Sequence, residues 1–117
     1  VGELMRKIAE AEERYAVRIP TFGHAADGNM HAHPLKPEAM SDSEWDELLP
    51  RLLADLYRGA AALGGTISGE HGIGNKRRAF LPLVMSPGEI AMLRAVKRAL
   101  DPNGILNPGK IFDDAEM

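Results

Sequence analysis

Residues 17–35 read VRIPTFGHAADGNMHAHPL, and the Asp27-Gly28 pair near their centre decides the fold. Asp-Gly is a favoured centre for a tight two-residue turn, because both central positions need a backbone that Gly and Asp tolerate. Val17 to Gly23 then reads as the incoming strand and Met30 to Leu35 as the return. Pro20 cannot donate to a ladder, so the first strand is an edge or is broken there. With Asp27 and Gly28 as the loop, Ala26 faces Asn29, Ala25 faces Met30 and His24 faces His31. Opposed residues share one face of a hairpin, with Cβ atoms about 4.5–5.5 Å apart. Two imidazoles so placed can converge on one cation at about 2.0–2.1 Å each. His33 falls on the same face, because side chains alternate along a strand. A loop one residue longer would undo this register.

A second stretch carries the remaining chemistry: Gly69-Glu70-His71-Gly72-Ile73-Gly74. Its glycines suit a backbone that bends tightly or passes close to a ligand. Glu70 and His71 are adjacent and would diverge in extended backbone, one toward a metal and the other toward a substrate. Three protein ligands would leave a coordination position open, as catalytic sites need. A phosphate-loop reading fails, since Asn75 stands where Lys is required and Arg77 follows Lys76 in place of Ser or Thr. A metal-dependent hydrolase fits poorly as well, because no helix-borne H-E-x-x-H is present.

Around these stretches lies scaffold. Leu4, Ile8, Ala11 and Tyr15 recur at helical spacing over residues 3–16. Ser41 and Glu44 form a capping box that opens the longest helix. Its stripe runs Trp45, Leu48, Leu49, Leu52, Leu53, Leu56, Tyr57, Ala60, and Gly64-Gly65 stops it. Pro50 lies off the stripe and is expected to kink the helix on its exposed side. Thr66-Ile67-Ser68 reads as a short strand delivering the glycine loop, and a short helix is expected near Lys76–Val84. Ser86 and Glu89 form a second capping box with Pro87 at the first helical position. That helix is expected to carry Ile90, Leu93, Val96 and Leu100 inward and to stop at Asp101-Pro102. The segment 103–110 is irregular. The order α-β-β-α-β-α-α defines an α+β domain with a small antiparallel sheet.

The chain has 117 residues, the size of one small domain, with 44% hydrophobic and 26% charged residues. A net charge of −3 gives no reason to expect nucleic acid as a partner. The basic cluster Lys76-Arg77-Arg78 is short and reads as a solvated face. The absence of cysteine removes disulfides, thiolate catalysis and iron–sulfur ligation, leaving His, carboxylate and water as metal ligands. No run approaches a membrane span, and no signal-peptide pattern opens the chain. It starts in amphipathic helix without an initiator methionine, as a domain cut from a longer protein would.

Taken together, GHAADGNMH (23–31), GGTISGEHGIG (64–74) and DPNGILNPGKIF (101–112) resemble the C-terminal part of FAD-linked oxidases, such as glycolate oxidase flavoprotein subunits, D-lactate dehydrogenases and D-2-hydroxyglutarate dehydrogenases. The resemblance runs from about Arg18 to Phe112. It implies a partial ferredoxin-like cap domain over residues 1–112 with a tail over 113–117. Most of the FAD would be held by an N-terminal domain in cis. The implied reaction is oxidation of a D-2-hydroxy acid to the 2-oxo acid with hydride passing to flavin. By resemblance, His24, His31 and Glu70 are metal ligands for zinc, manganese or iron. His71 is the general base and touches substrate, and Asn107 returns to the flavin. Two positions depart from the family pattern. Ala26 replaces a usual Gly, and His33 stands near the substrate where relatives often place Asn, making it a candidate substrate-binding residue.

The resemblance also places the carboxylate-gripping basic residues upstream of the metal motif. The chain by itself is therefore expected to hold no FAD and to be inactive. An exposed sheet edge would favour a homo-oligomer. A cytoplasmic location is expected, peripheral to a membrane only through an electron-acceptor protein. The competing reading is a ligand-binding or assembly module with the same fold and no redox chemistry. The intact set His24, His31, Glu70 and His71 argues against it.

Overall fold

The computed structural model describes residues 1–113. Helix α1 (Gly2–Tyr15) ends at Ala16, whose φ of 52° places it in the left-handed cap conformation. The Glu12 carboxylate then accepts the N–H of Ile19. Cap and carboxylate together redirect the chain out of the helix and bury Val17 and Ile19. Strands β1 (Thr21–His24) and β2 (Asn29–Ala32) come next as an antiparallel pair. Pairing extends past the strand ends, where His33 N–H donates to Pro20 O and Leu35 N–H to Arg18 O. Pro20 thus sits in the ladder as an acceptor only, the role its missing N–H permits.

The register differs from the expected one. His24 pairs with Asn29, Gly23 with Met30 and Phe22 with His31. Residues 25–28 form the loop, closed by Gly28 N–H to His24 O at 3.0 Å. Inside it the Asp27 carboxylate accepts the Asn29 N–H at 3.0 Å, an Asx turn that outcompetes the two-residue hairpin. The slip is by two residues, so parity survives. His24, Phe22, Asn29, His31 and His33 still share one face.

Helix α2 (Asp42–Ala62) begins with the full Ser41/Glu44 capping box and runs through exposed Pro50 without ending. Gly64, at φ 77°, lies just past its end. Its stripe feeds two cores. Leu52, with no exposed surface, and Leu56 pack with Ile8, Ala11, Val17 and Ile19 beneath the hairpin. Tyr57 turns to a second cluster of Ile67, Leu81 and Phe112, and meets the Phe80 ring edge-on at 5.0 Å.

Three other expectations are corrected. Residues 66–68 form no strand; Ile67 instead buries its side chain in the second core, with no ladder partner among the described residues. The short helix expected near Lys76–Val84 is 3₁₀ rather than α and shorter, Arg78–Leu83, with Pro82 inside it. Helix α3 (Pro87–Leu100) has its capping box and N1 proline, but no residue of it is buried. Ile90 touches the second core, whereas Leu93, Val96 and Leu100 are exposed and belong to neither core cluster.

Beyond α3, the buried Asp101 carboxylate gathers the irregular segment. It accepts the N–H groups of Ile105 and Leu106 and pairs with Lys97, whose bond to it holds the carboxyl below its ordinary pKa.

Candidate metal centre

The hairpin and the glycine loop meet at their chemistry-bearing residues. The loop is pinned on both sides of its tip, because Ile67 before it is buried in the second core and Ile73 near its end packs against that core. Two arginines brace the chain on its C-terminal side. Arg77 donates to Gly72 O at 3.0 Å and Arg78 to Gly109 O at 3.0 Å, while Arg78 also pairs with Asp113 at 2.9 Å. The Lys76–Arg78 cluster is therefore partly structural, correcting its reading as a solvated face. Ile111 N–H donates to Gly74 O at 2.8 Å, tying the C-terminal segment to the loop. Only the tip, 69–71, is left to face the hairpin.

At that tip the side chains of Glu70 and His71 converge. His71 Nε2 lies 2.7 Å from Glu70 Oε1, against the expected divergence. The tip is bent rather than extended, and Gly72 beside it has φ 71°, a conformation that favours glycine. His31 Nε2 approaches the same oxygen at 3.1 Å. His24 Nε2 stands 4.0 Å from the other oxygen, Glu70 Oε2. One carboxylate thus faces three imidazoles from two distant segments.

The tightest donor group is His31, Glu70 and His71, whose ligand atoms all lie within 4.8 Å of one another. His24 stands just outside it, on the open side. The donors are borderline nitrogen and hard oxygen, the set that zinc, manganese and iron accept. Exposure is graded: the His31 side chain is 19% exposed, His24 65% and His71 68%. The inner ligand is shielded and the outer rings face incoming solute.

The other two expected residues lie apart from this group. His33 stacks on Phe22, ring centroids 5.0 Å apart and planes 9° from parallel, and Phe22 also leans on His31 at 5.4 Å. Phe22 is 61% exposed and escaped the sequence reading. Its signal was available, an aromatic two residues before His24 on the histidine face. Asn107 sits at φ 49° in the C-terminal segment, its carbonyl accepting from Lys110 N–H. It lines a shallow depression of about 280 Å³ with Lys97, Gly104 and Lys110 and does not join the His/Glu group.

Residues 1–111 match the family described as FAD linked oxidases, C-terminal domain, and the chain belongs to it. Three relatives mark out its neighbourhood. The glycolate oxidase subunit GlcD of Bacillus subtilis is 36% identical over 112 residues, 96% of this chain and 23% of that protein. The D-2-hydroxyglutarate dehydrogenase of Stutzerimonas stutzeri is 44% identical over 94 residues, 80% of this chain and 20% of that protein. The D-lactate dehydrogenase of Archaeoglobus fulgidus is 39% identical over 111 residues, 95% of this chain and 24% of that protein. The chain thus spans about a fifth to a quarter of the length of these relatives. All three are named for oxidation of hydroxy acids, which places the chain in an FAD-linked oxidoreductase family. No helix among the described residues is long and apolar enough to cross a membrane.

Proposed function

We propose that this chain is the substrate-side, metal-bearing part of a flavin-dependent D-2-hydroxy acid dehydrogenase, its substrate of the glycolate, lactate or 2-hydroxyglutarate type. One observation carries the reading: both oxygens of Glu70 face imidazoles, Oε1 toward His31 and His71, Oε2 toward His24. Three histidines around a carboxylate on an open face are more than a packed domain requires. Residues 1–112 form the working unit, with FAD held by a domain in cis.

His24, His31 and Glu70 would hold the metal. When bound, a divalent cation supplies Lewis acidity and a template for the substrate's hydroxyl and carboxylate oxygens. Flavin supplies the hydride acceptor. The His71 imidazole would take the hydroxyl proton as the C–H bond breaks, its electron pair leaving with the hydrogen as hydride, and the C=O bond forms. Glu70 Oε1, 2.7 Å from His71 Nε2, orients that ring. His33, held flat on Phe22, would border the substrate, and Asn107 would contact the flavin. The protein is cytoplasmic and passes its electrons to an acceptor protein. The chain alone neither retains FAD nor turns over; a stoichiometric yellow flavin on the purified chain would refute this.

A second assignment has its own support, since the tightest donor group contains His71 and not His24. Metal analysis of the flavoprotein carrying this segment separates the two. In the first assignment His24→Ala and Glu70→Ala lose metal and activity, while His71→Ala keeps metal and loses activity. Metal lost from His71→Ala and kept by His24→Ala supports the second. Unchanged metal content in all three variants refutes the site.

A further inference from the structure

The glycines of the 69–74 loop fall into two kinds. Gly72 and Gly74 have φ of 71° and 59°, and a Cβ on either would meet nothing within 4 Å. Their requirement is conformational. Gly69 is different. Its φ lies outside the left-handed region, yet a Cβ there would stand 2.4 Å from Asn29 Oδ1, 2.8 Å from its Cγ and 3.3 Å from its Nδ2. Its requirement is steric, and a single side chain imposes it.

Asn29 is placed to matter. It is the cross-strand partner of His24 and lies two residues before His31 on the same face. Its N–H is held by the Asp27 carboxylate, so the residue is fixed to the hairpin turn. Its carboxamide fills the space over Gly69, the residue immediately before Glu70. Hairpin and loop share no backbone hydrogen bond here among the described residues. Besides the histidine contacts to Glu70, they meet where the Asn29 carboxamide packs on the bare Cα of Gly69.

We propose that Asn29, seated on Gly69, is a positioning residue that holds the Glu70–His71 tip in register with His24 and His31. The proposal rests on the metal-site reading for its affinity arm only. Its structural arm needs no metal. Groups that orient metal ligands typically change affinity by about 10- to 100-fold when removed.

The test is a double-mutant cycle in the chain, Asn29→Ala, Gly69→Ala and both together, read by zinc titration and, without metal, by the NMR cross-relaxation between the His31 and His71 rings, whose centroids lie 5.4 Å apart. Asn29→Ala is expected to weaken zinc binding about tenfold and to weaken the ring-to-ring signal, with amide exchange at Leu52 unchanged as the control for an intact core. Gly69→Ala is expected to lose more, because its methyl evicts the carboxamide and shifts the tip. The double variant is expected to bind zinc no worse than Asn29→Ala, since the clash needs Asn29 to be present. Single effects that multiply in the double variant overturn the proposal, as does a ring-to-ring signal that is unaltered in Asn29→Ala. Should the unsubstituted chain take up no zinc, the metal reading falls, and the positioning role of Asn29 is then decided by the ring-to-ring signal alone.

Discussion

At the scale of single residues, burial and chemistry are divided unevenly around the site. His31 is the one shielded imidazole, and Glu70 is shared among three rings. His33 is the residue most open to variation, because its contact is one exposed stacking partner, Phe22. Replacing it with Asn is expected to lower stability by less than about 1 kcal/mol, the value of a solvent-exposed aromatic pair. Metal stoichiometry should hold, while relative kcat/KM among 2-hydroxy acids should shift in the flavoprotein. Denaturant unfolding, metal analysis and a substrate panel check the three parts, and loss of metal would make His33 a ligand instead. That His24, His31 and His33 share one face was legible from alternation, since a two-residue slip keeps their parity. Phe22 and Asn29 were missed because their roles arise from contact, with His33 and with Gly69, which no spacing rule reports. The convergence of Glu70 and His71 was hidden for a similar reason, as the bend at the loop tip comes from anchoring at Ile67 and Ile73.

Among elements, the helices were the legible part, because their signals are local. Ser41/Glu44 and Ser86/Glu89 each satisfy two otherwise unpaired N–H groups, and both boxes form as read. What failed was nonlocal: whether residues 66–68 had a strand to pair with, and whether α3 had a surface to cover. Energetics should divide in the same way. Leu52→Ala empties a fully enclosed position between α1 and α2 and should cost about 2–5 kcal/mol, whereas Val96→Ala on α3, 54% exposed, should change stability by under about 0.5 kcal/mol. Urea unfolding of the two variants tests the contrast, and equal losses would place α3 in the core. The α1–α2 contact also carries a pH signature. Tyr15 donates to Asp55 at 2.7 Å and Arg14 pairs with the same carboxylate at 2.9 Å. The Tyr15 hydrogen bond lowers the Asp55 pKa in the folded state, and the same bond raises that of Tyr15. A lowered carboxyl pKa contributes stability that is present above its unfolded value of 3.8 and lost as pH falls through the folded one. A raised phenol pKa contributes stability that is present below its unfolded value of 10.0 and lost as pH rises through the folded one. Tyr15→Phe should therefore flatten both the acid and the alkaline limbs of the stability–pH curve, and an unchanged curve would assign the dependence elsewhere.

For the whole molecule, surface is the informative quantity. A folded monomer of 12.7 kDa exposes about 6,200 Å², and this chain exposes 7817 Å². Its radius of gyration is 16.0 Å, against about 13 Å for a compact domain of this length. Part of the excess is apolar and lies on one stretch of chain: Met92, Leu93, Val96 and Leu100 on α3, then Ile105 and Leu106. The hairpin adds outer edges without a further strand partner among the described residues. Monomeric soluble proteins rarely leave a contiguous apolar patch of more than a few hundred Å² uncovered. Taken apart from the rest of the flavoprotein, the chain is accordingly expected to associate with a second copy in solution through this face. Val96→Glu combined with Leu100→Glu should yield a monomer across the concentration range in sedimentation velocity. Unfolding free energy of that monomer should stay within about 0.5 kcal/mol of the parent's, because both side chains lie mostly exposed within one copy. Association that survives both substitutions would move the contact to the hairpin edge, where Phe22→Lys on β1 is the corresponding test. A parent chain that stays monomeric at every concentration would show that neither surface drives self-association.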